Sequence, residues 1–459
     1  MNKNLNEKGD LKLLPLILCG GTLFSMHFGA SSMVWPMNWG KESGSDFLIA
    51  FAGAFITSLL LVVIAYIALA KGTSYLKMTR RIANPKFATF YASVTIAVLG
   101  PFYAIPRMSA AAWDSIVQAA APFGMDLDNK LFLIIFTIIF YVITYFFLVN
   151  PGKAMDRISS ILLPVLIIVV VAVVGKGILN PIATPVAKTY EGSAFAYGFT
   201  NGYATVEILC ALVFGVVIFN TMRNKGVPEN RMTANMIRIG VVGVALLTCT
   251  HFAHMYIGAS TGGTIALNYT ALYTAVVTIL YGNWGGVLFA CALFFAALTT
   301  SIGLTSGCAE FFVDTVDGKI TYKQFALVMV IFSIIFGSLG LTNLLSLLGP
   351  ILDGIYPTAI VLVIYYSLLP HANTPRMLYA CKWAMYVSFV FGMIDMVWKY
   401  LVKFNIDVSG VFDLYFRLPF ADISMAWIPW TIVAFIVGYV INRNKNDAAE
   451  IPTAGTPAN

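Results

Sequence analysis

Long apolar runs separated by short polar stretches make up almost the whole chain. A bilayer crossing takes about 20 mostly apolar residues. Twelve runs meet that length, near residues 12–38, 46–71, 86–120, 130–149, 155–179, 192–221, 231–258, 284–313, 323–339, 342–369, 376–401 and 424–441. The connections are short, so the pattern predicts an all-α polytopic membrane protein forming one transmembrane domain over 1–459, with no separate soluble domain.

Two runs are interrupted in the middle. The first contains FGASSMVWP (residues 28–36), with a glycine, two serines and a proline. Gly29 tolerates unusual backbone angles, and Pro36 cannot donate to the Ser32 carbonyl. The sixth contains FTNGYATVE (residues 199–207), where Asn201-Gly202 is a turn dipeptide. Unpaired backbone groups cost several kcal/mol each in hydrocarbon, so non-helical chain at that depth is expected only where it lines a cavity or packs in protein. Runs 1 and 6 each open a set of five. Five is odd, so the two sets cross the membrane in opposite senses. Interruptions at matched places in two inverted halves point to a transporter binding site. This predicts repeat one over about 12–180, repeat two over about 192–369 and two additional helices over about 376–441.

Composition agrees. The 459 residues are 59% hydrophobic and 11% charged, with a mean hydropathy of +0.83, whereas soluble domains are about a quarter charged. With a cytoplasmic N-terminus, the inner segments hold 20 of the 28 Lys and Arg, from Lys3, Lys8 and Lys12 through Lys153 and Arg157 to Arg443 and Lys445. The basic bias toward inner loops therefore predicts both termini on the cytoplasmic side. It also accounts for the net charge of +7, so no nucleic-acid partner is expected. The N-terminus, MNKNLNEKGD, lacks a cleavable signal pattern. Six cysteines lie within spans with no C-x-x-C spacing and read as packing residues.

Candidate chemistry is sparse. In span 8, ALTTSIGLTSG (297–307) puts Ala297 and Ser301 one turn apart beside Thr300. Neutral oxygens on a helix face, opposite carbonyls freed by a broken helix, suit a hard cation such as Na⁺; hydroxyl-mediated helix packing is the alternative. Charges within spans are functional candidates by default. Glu207 follows the second break and could meet an ammonium, a cation or a proton, or serve as a structural hydrogen-bond acceptor. Arg107, in GPFYAIPR (100–107), and Asp353, in LGPILDGIYP (348–357), both lie toward the expected outer face and could pair as a gate. His27 precedes the first break, as structure or as a proton relay. Asp114 and Asp395 read as interfacial, and His251 with His254 lack further metal ligands. Tyr203 could wall an apolar pocket. Segment 403–423 is expected outside. No Ser-His-Asp set, HExxH, P-loop or nucleotide fingerprint is present, so neither an enzyme nor a cofactor is expected. Rings of charge or a repeated filter, as a channel would need, are also missing.

The segments GPFYAIPR, PGKAMDRISSILLP (151–164), GYATVEILCALVFG (202–215), ALTTSIGLTSGCAEFF (297–312) and IYPTAIVLV (355–363) resemble the bacterial branched-chain amino acid:cation symporter family. The resemblance implies a leucine-transporter-like fold, a five-plus-five inverted repeat with broken helices 1 and 6, in the bacterial cytoplasmic membrane among lipid. It implies Na⁺-coupled uptake of leucine, isoleucine and valine. Na⁺ would meet carbonyls near Ser25, Phe28 (or His27) and Ala297 and the hydroxyls of Thr300 and Ser301. The substrate carboxylate would meet backbone N–H groups over Gly29, Ala30, Ser31 and Ser32. Its ammonium would meet carbonyls near Gly202 and Tyr203, with Glu207 a further candidate. Two departures fall in this site: Ser31-Ser32 replace the family's Gly-Asn, and Glu207 replaces an aspartate. They leave a different small amino acid or amine, and H⁺ in place of Na⁺, as alternatives. Proton-driven relatives of the fold can place a lysine in span 5, whose middle here reads LLPVLIIVVVAVVG (162–175), without one.

Overall fold

The computed structural model describes residues 4–72, 74–149, 153–368, 374–407 and 410–443. Expectations for Lys3, Lys445 and residues 150–152 lie outside them, as do the side chains of Ala30, Ser31, Lys153 and Arg157.

Span 1 is α1 (Leu13–His27) and α2 (Ala30–Ser43). Span 2 is α3 (Phe47–Ala54), a π-turn over Phe55–Leu60, and α4 (Leu61–Gly72). The short α5 (Tyr75–Ile82) begins where the Ser74 side chain accepts from Lys77 N. Span 3 is α6 (Pro85–Ala97), with Asn84 capping and Pro85 in the first turn, followed by α7 (Ala104–Ala120). Next come α8 (Lys130–Val149) and α9 (Lys153–Leu179). Span 6 is α10 (Ala194–Asn201) and α11 (Glu207–Asn224). Then follow α12 (Met232–Ala259), α13 (Tyr269–Thr315) and α14 (Tyr322–Gly337), the last opened by a capping box of Thr321 and Gln324. The chain continues through α15 (Leu341–Leu348), α16 (Pro350–Leu368), α17 (Pro375–Lys403), α18 (Asp413–Phe416) and α19 (Trp427–Ile441).

Among the described residues, seven helices are long and apolar enough to cross a membrane, or up to nine if bent pairs are single spans, and three apolar helices are shorter. Length and apolarity alone therefore do not establish the number twelve, although every expected run coincides with helix. Two boundaries differ. Span 8 is preceded by an unexpected helical arm, because α13 starts at Tyr269 and bends at Gly282 (φ 76°). Span 10 is divided: α15 turns 108° away from α14, and Gly349, at helical angles (φ −54°, ψ −46°), links it to α16.

The helices pack in two groups. In one, α12 lies against α1, α2 and α4, and α10 lies against α3. Contacts here are backbone-close: a Cβ on Gly40 or Gly258 would collide with the carbonyl of Met255 or Met37 respectively. Small residues permit such approach where lipid offers no hydrophobic drive between helices. In the other group α7 packs on α13 and α8 on α14. α17 packs on both α16 and α19. The broken helices 1 and 6 belong to the first group and face the second.

Candidate functional site

The first break is narrower than the sequence suggests. Only Phe28 (φ −80°, ψ 74°) and Gly29 (φ −105°, ψ −171°) leave the helix, and Ser31 and Ser32 already belong to the first turn of α2. α2 continues through Pro36, since a proline removes one hydrogen bond and need not end a well-packed helix.

The second break also differs. Asn201-Gly202 does not turn the chain: Gly202 keeps helical angles (φ −56°, ψ −24°) and starts a 3₁₀ turn over Gly202–Thr205. The reversal comes at Val206, held left-handed (φ 55°, ψ 24°). A β-branched residue there is a true outlier, and such strain collects at functional sites. Gly202 serves packing instead. A Cβ there would collide with Oγ1 of Thr57, which donates to the Phe199 carbonyl at 2.8 Å.

A third break was not anticipated. Gly100 (φ −85°, ψ −120°) interrupts span 3 within a π-turn over Val98–Phe102, and Arg107 lies in the first turn of α7 beyond it. The Gly100-Pro101 pair in GPFYAIPR was the available signal.

The breaks in spans 1 and 6 meet at Glu207, the first residue of α11, where the helix dipole favours a carboxylate. Ser32 Oγ lies 2.7 Å from Glu207 Oε1 and 2.6 Å from the His27 carbonyl. His27 Nδ1 contacts Glu207 Oε2, and its Nε2 lies 2.8 Å from the Tyr66 hydroxyl. All four side chains are buried. Tyr66 was not anticipated: one tyrosine in the apolar run LLLVVIAYIALA carries no local signal for a partner 39 residues away.

Span 8 meets the first break. A Cβ on Gly29 would lie 3.3 Å from Thr300 Oγ1. Ser25, Phe28 and Thr300 line one cavity of about 920 Å³ that extends to Lys77, Arg80 and Asp314. Ala297 and Ser301 are fully buried, and the Ser301 hydroxyl has no hydrogen-bond partner among the described residues. Ser25 donates to the Thr22 carbonyl at 2.8 Å. A buried hydroxyl with a missing partner and a threonine hydroxyl against a helix break are a donor set that fits a hard cation.

A second void of about 30 Å³ is lined by His27, Gly29, Arg107, Thr205, Glu207 and Thr300, among others. Arg107 Nη1 donates to the Ala204 carbonyl at 2.6 Å. The guanidinium lies 5.0 Å from the Trp35 ring centre and 4.7 Å from that of Tyr103. Tyr203 stacks on Tyr356 at 4.5 Å.

The gate expected from Arg107 and Asp353 is not formed as an ion pair. Asp353 Oδ1 instead accepts from Lys399 Nζ of α17 at 2.8 Å. Lys399 is 46 residues away on a helix outside the repeats, so sequence position could not reveal the competition. Asp395, expected at the interface, is buried and accepts from Tyr415 at 2.7 Å, because α18 and the turn over Ala421–Ile423 fold back over α17 and α10. Asp114 accepts from Thr270 at 3.4 Å. His251 and His254 bond carbonyls of their own helix, and no group of three His, Cys, Asp or Glu is arranged for a metal among the described residues.

Residues 14–445 match the family described as branched-chain amino acid transport protein. The chain belongs to this family. It is 30% identical over 440 residues to the branched-chain amino acid permease BraB of Bacillus subtilis, covering 95% of this chain and 97% of that protein. It is 31% identical over 441 residues to the branched-chain amino acid transport system 2 carrier protein of Pseudomonas aeruginosa, covering 94% and 97%, and 29% identical to the permease BrnQ of Escherichia coli, covering 95% and 97%. Among solved structures it resembles Mhp1, a nucleobase-cation-symport-1 family transporter, in a closed conformation with bromovinylhydantoin, at TM-score 0.60 and 12% identity over 94% of this chain and 92% of that one. The inward-facing conformation of Mhp1 also gives 0.60. The fold is therefore leucine-transporter-like, and the member of the branched-chain amino acid transport family described here is a multi-pass membrane transporter, not an enzyme.

Proposed function

We propose that this family member carries leucine, isoleucine and valine into the cell together with Na⁺ by alternating access. The observation that carries the reading is the contact of the first break with span 8, where Gly29 abuts Thr300 and the buried Ser301 hydroxyl has no partner. Na⁺ binds Thr300 and Ser301 with carbonyls near Ser25, Phe28 and Ala297. The substrate's charged end lies between the start of α2, over Gly29, Ala30, Ser31 and Ser32, and the second break at Gly202, Tyr203 and Glu207. The 920 Å³ cavity reaches the face bearing Lys77 and Arg80, which basic-residue bias makes cytoplasmic; this conformation then opens inward in the bacterial cytoplasmic membrane, with both termini inside.

The driving force suffices. One charge moving through 100 mV contributes about 2.3 kcal/mol. A tenfold Na⁺ gradient adds about 1.4 kcal/mol, so together they support roughly 500-fold accumulation.

The buried contact of His27 with Glu207 favours one second reading, in which H⁺ drives transport of the same or another small amino acid. Uptake of radiolabelled leucine, isoleucine and valine into proteoliposomes separates the two. An inward Na⁺ gradient should drive uptake, and Ser301→Ala should reduce it. Uptake driven by an inward H⁺ gradient alone would overturn the Na⁺ assignment, and no uptake of any of the three would overturn the substrate assignment.

A further inference from the structure

We propose that a groove on the lipid-facing side of α17 binds one anionic phospholipid of the surrounding bilayer, with the phosphate at Lys382 and an acyl chain running toward Phe391. The proposal needs the chain to span a membrane, and depends on neither its substrate nor its coupling ion.

Tyr379, Lys382, Trp383 and Tyr386 line one end of a groove of about 440 Å³, and Val387, Val390 and Phe391 continue it. All of them belong to α17. They recur at three- and four-residue intervals and so share one helix face. At 1.5 Å per residue the stripe from Tyr379 to Phe391 is about 18 Å long, roughly the depth of one leaflet of a hydrocarbon core about 30 Å thick. Trp383 and Val390 are 48% and 53% exposed, and on a spanning helix such side chains meet lipid. Neighbouring helices form the banks. On one side the Tyr386 hydroxyl accepts from Asn84 N at 3.1 Å, and its ring lies 4.9 Å from that of Phe87 on α6. On the other, a Cβ on Gly438 of α19 would lie 3.0 Å from Trp383, and Phe391 stacks on Trp430 at 6.3 Å.

The two ends differ in chemistry. Near the start of α17 stand a lysine and rings of the kind that favour the headgroup level, and the far end is wholly apolar. Arg376, on the same first turns, is engaged: it donates to the Tyr439 carbonyl at 2.7 Å with its guanidinium over the Tyr439 ring. Lys382 has no carboxylate partner among the described residues, and its ammonium lies 6.0 Å from the Tyr379 ring centre, at the outer limit of a cation–π contact. A lysine stem can lie along apolar surface while its ammonium reaches the headgroups. A phosphodiester there offers the negative charge that the protein does not, and the groove takes one of its acyl chains. A zwitterionic headgroup brings its own cation and gains less, so the site selects anionic lipid. A second copy of this chain docked here about a two-fold axis would set Lys382 against Lys382, which disfavours self-association as the use of this face.

The test uses the full chain in detergent with an equimolar mixture of phosphatidylglycerol and phosphatidylcholine of matched acyl chains. Native mass spectrometry counts the lipid retained as the detergent is stripped. The last lipid held by wild type should be phosphatidylglycerol in preference to phosphatidylcholine by about fivefold, the worth of one basic side chain near an anionic surface. Lys382→Gln should hold the two equally. Lys323→Gln, which removes an exposed charge at the start of α14, should keep the preference. Val390→Trp, which fills the apolar end, should weaken both lipids alike. A wild type without preference would overturn the proposal, a result that stands even if the variants fail to fold. So would a preference that Lys382→Gln leaves intact, or one that Lys323→Gln removes as well, since general surface charge would then account for it. A dimer that retains no lipid and that Val390→Trp dissociates would assign the groove to a second copy and overturn it too.

Discussion

Ser32 donates to Glu207 at 2.7 Å across 175 residues of chain, and so ties the start of α2 to the start of α11. Each partner stands one short step beyond a helix break. The Glu207 carboxylate serves both Ser32 and His27.

Glu207→Asp should shorten that reach so that one of the two contacts fails. Loss of one hydrogen bond to a buried charged group costs about 1.5–3 kcal/mol. Thermal unfolding of the detergent-solubilised protein should fall accordingly. If Glu207→Asp melts with wild type, the carboxylate is not bridging the breaks.

Gly202→Ala tests the packing role of that glycine. Its Cβ would collide with Thr57 Oγ1, and overpacking of this kind costs about 1–3 kcal/mol. Thr57→Ala in the same chain should recover part of the loss. A Gly202→Ala variant as stable as wild type would show that the π-turn over Phe55–Leu60 and the 3₁₀ turn over Gly202–Thr205 separate freely at this point.

Ser301→Ala removes a buried hydroxyl that has no protein partner. Without Na⁺ its stability should stay within about 0.5 kcal/mol of wild type, since no hydrogen bond is lost. With Na⁺, wild type should gain thermal stability and the variant should gain much less. Equal stabilisation of both would remove Ser301 from the ion site.

Asp10 tests the latch of the N-terminal segment onto Arg231. The hydrogen bond from Arg231, whose Nη2 lies 2.6 Å from Asp10, holds its carboxyl below the usual carboxylate range. A native carboxyl held below its unfolded value stabilises fully above the unfolded value near pH 4, and that contribution fades as pH falls through the native value. Asp10→Asn should therefore melt below wild type at pH 7, and the gap should close toward pH 3. A gap that stays constant from pH 7 to pH 3 would show that the pair contributes nothing through charge.

Hydropathy is a local property, so the sequence by itself determined where the apolar helical runs lie, and the unusual residues within them marked the breaks at Phe28–Gly29 and before Glu207. Motif resemblance added the family, which the match over residues 14–445 bears out. Fine geometry was not local. Whether Pro36 or Asn201-Gly202 bends the chain depends on neighbours: α2 runs through Pro36, Gly202 packs helically against Thr57, and the left-handed residue is Val206. Partner choice was least legible. Asp353 went to Lys399, Arg107 to the Ala204 carbonyl, and Tyr66 to His27. In a low-dielectric interior a buried polar group takes the acceptor or donor that the packed helices bring within about 3 Å, and only the tertiary structure decides which one that is.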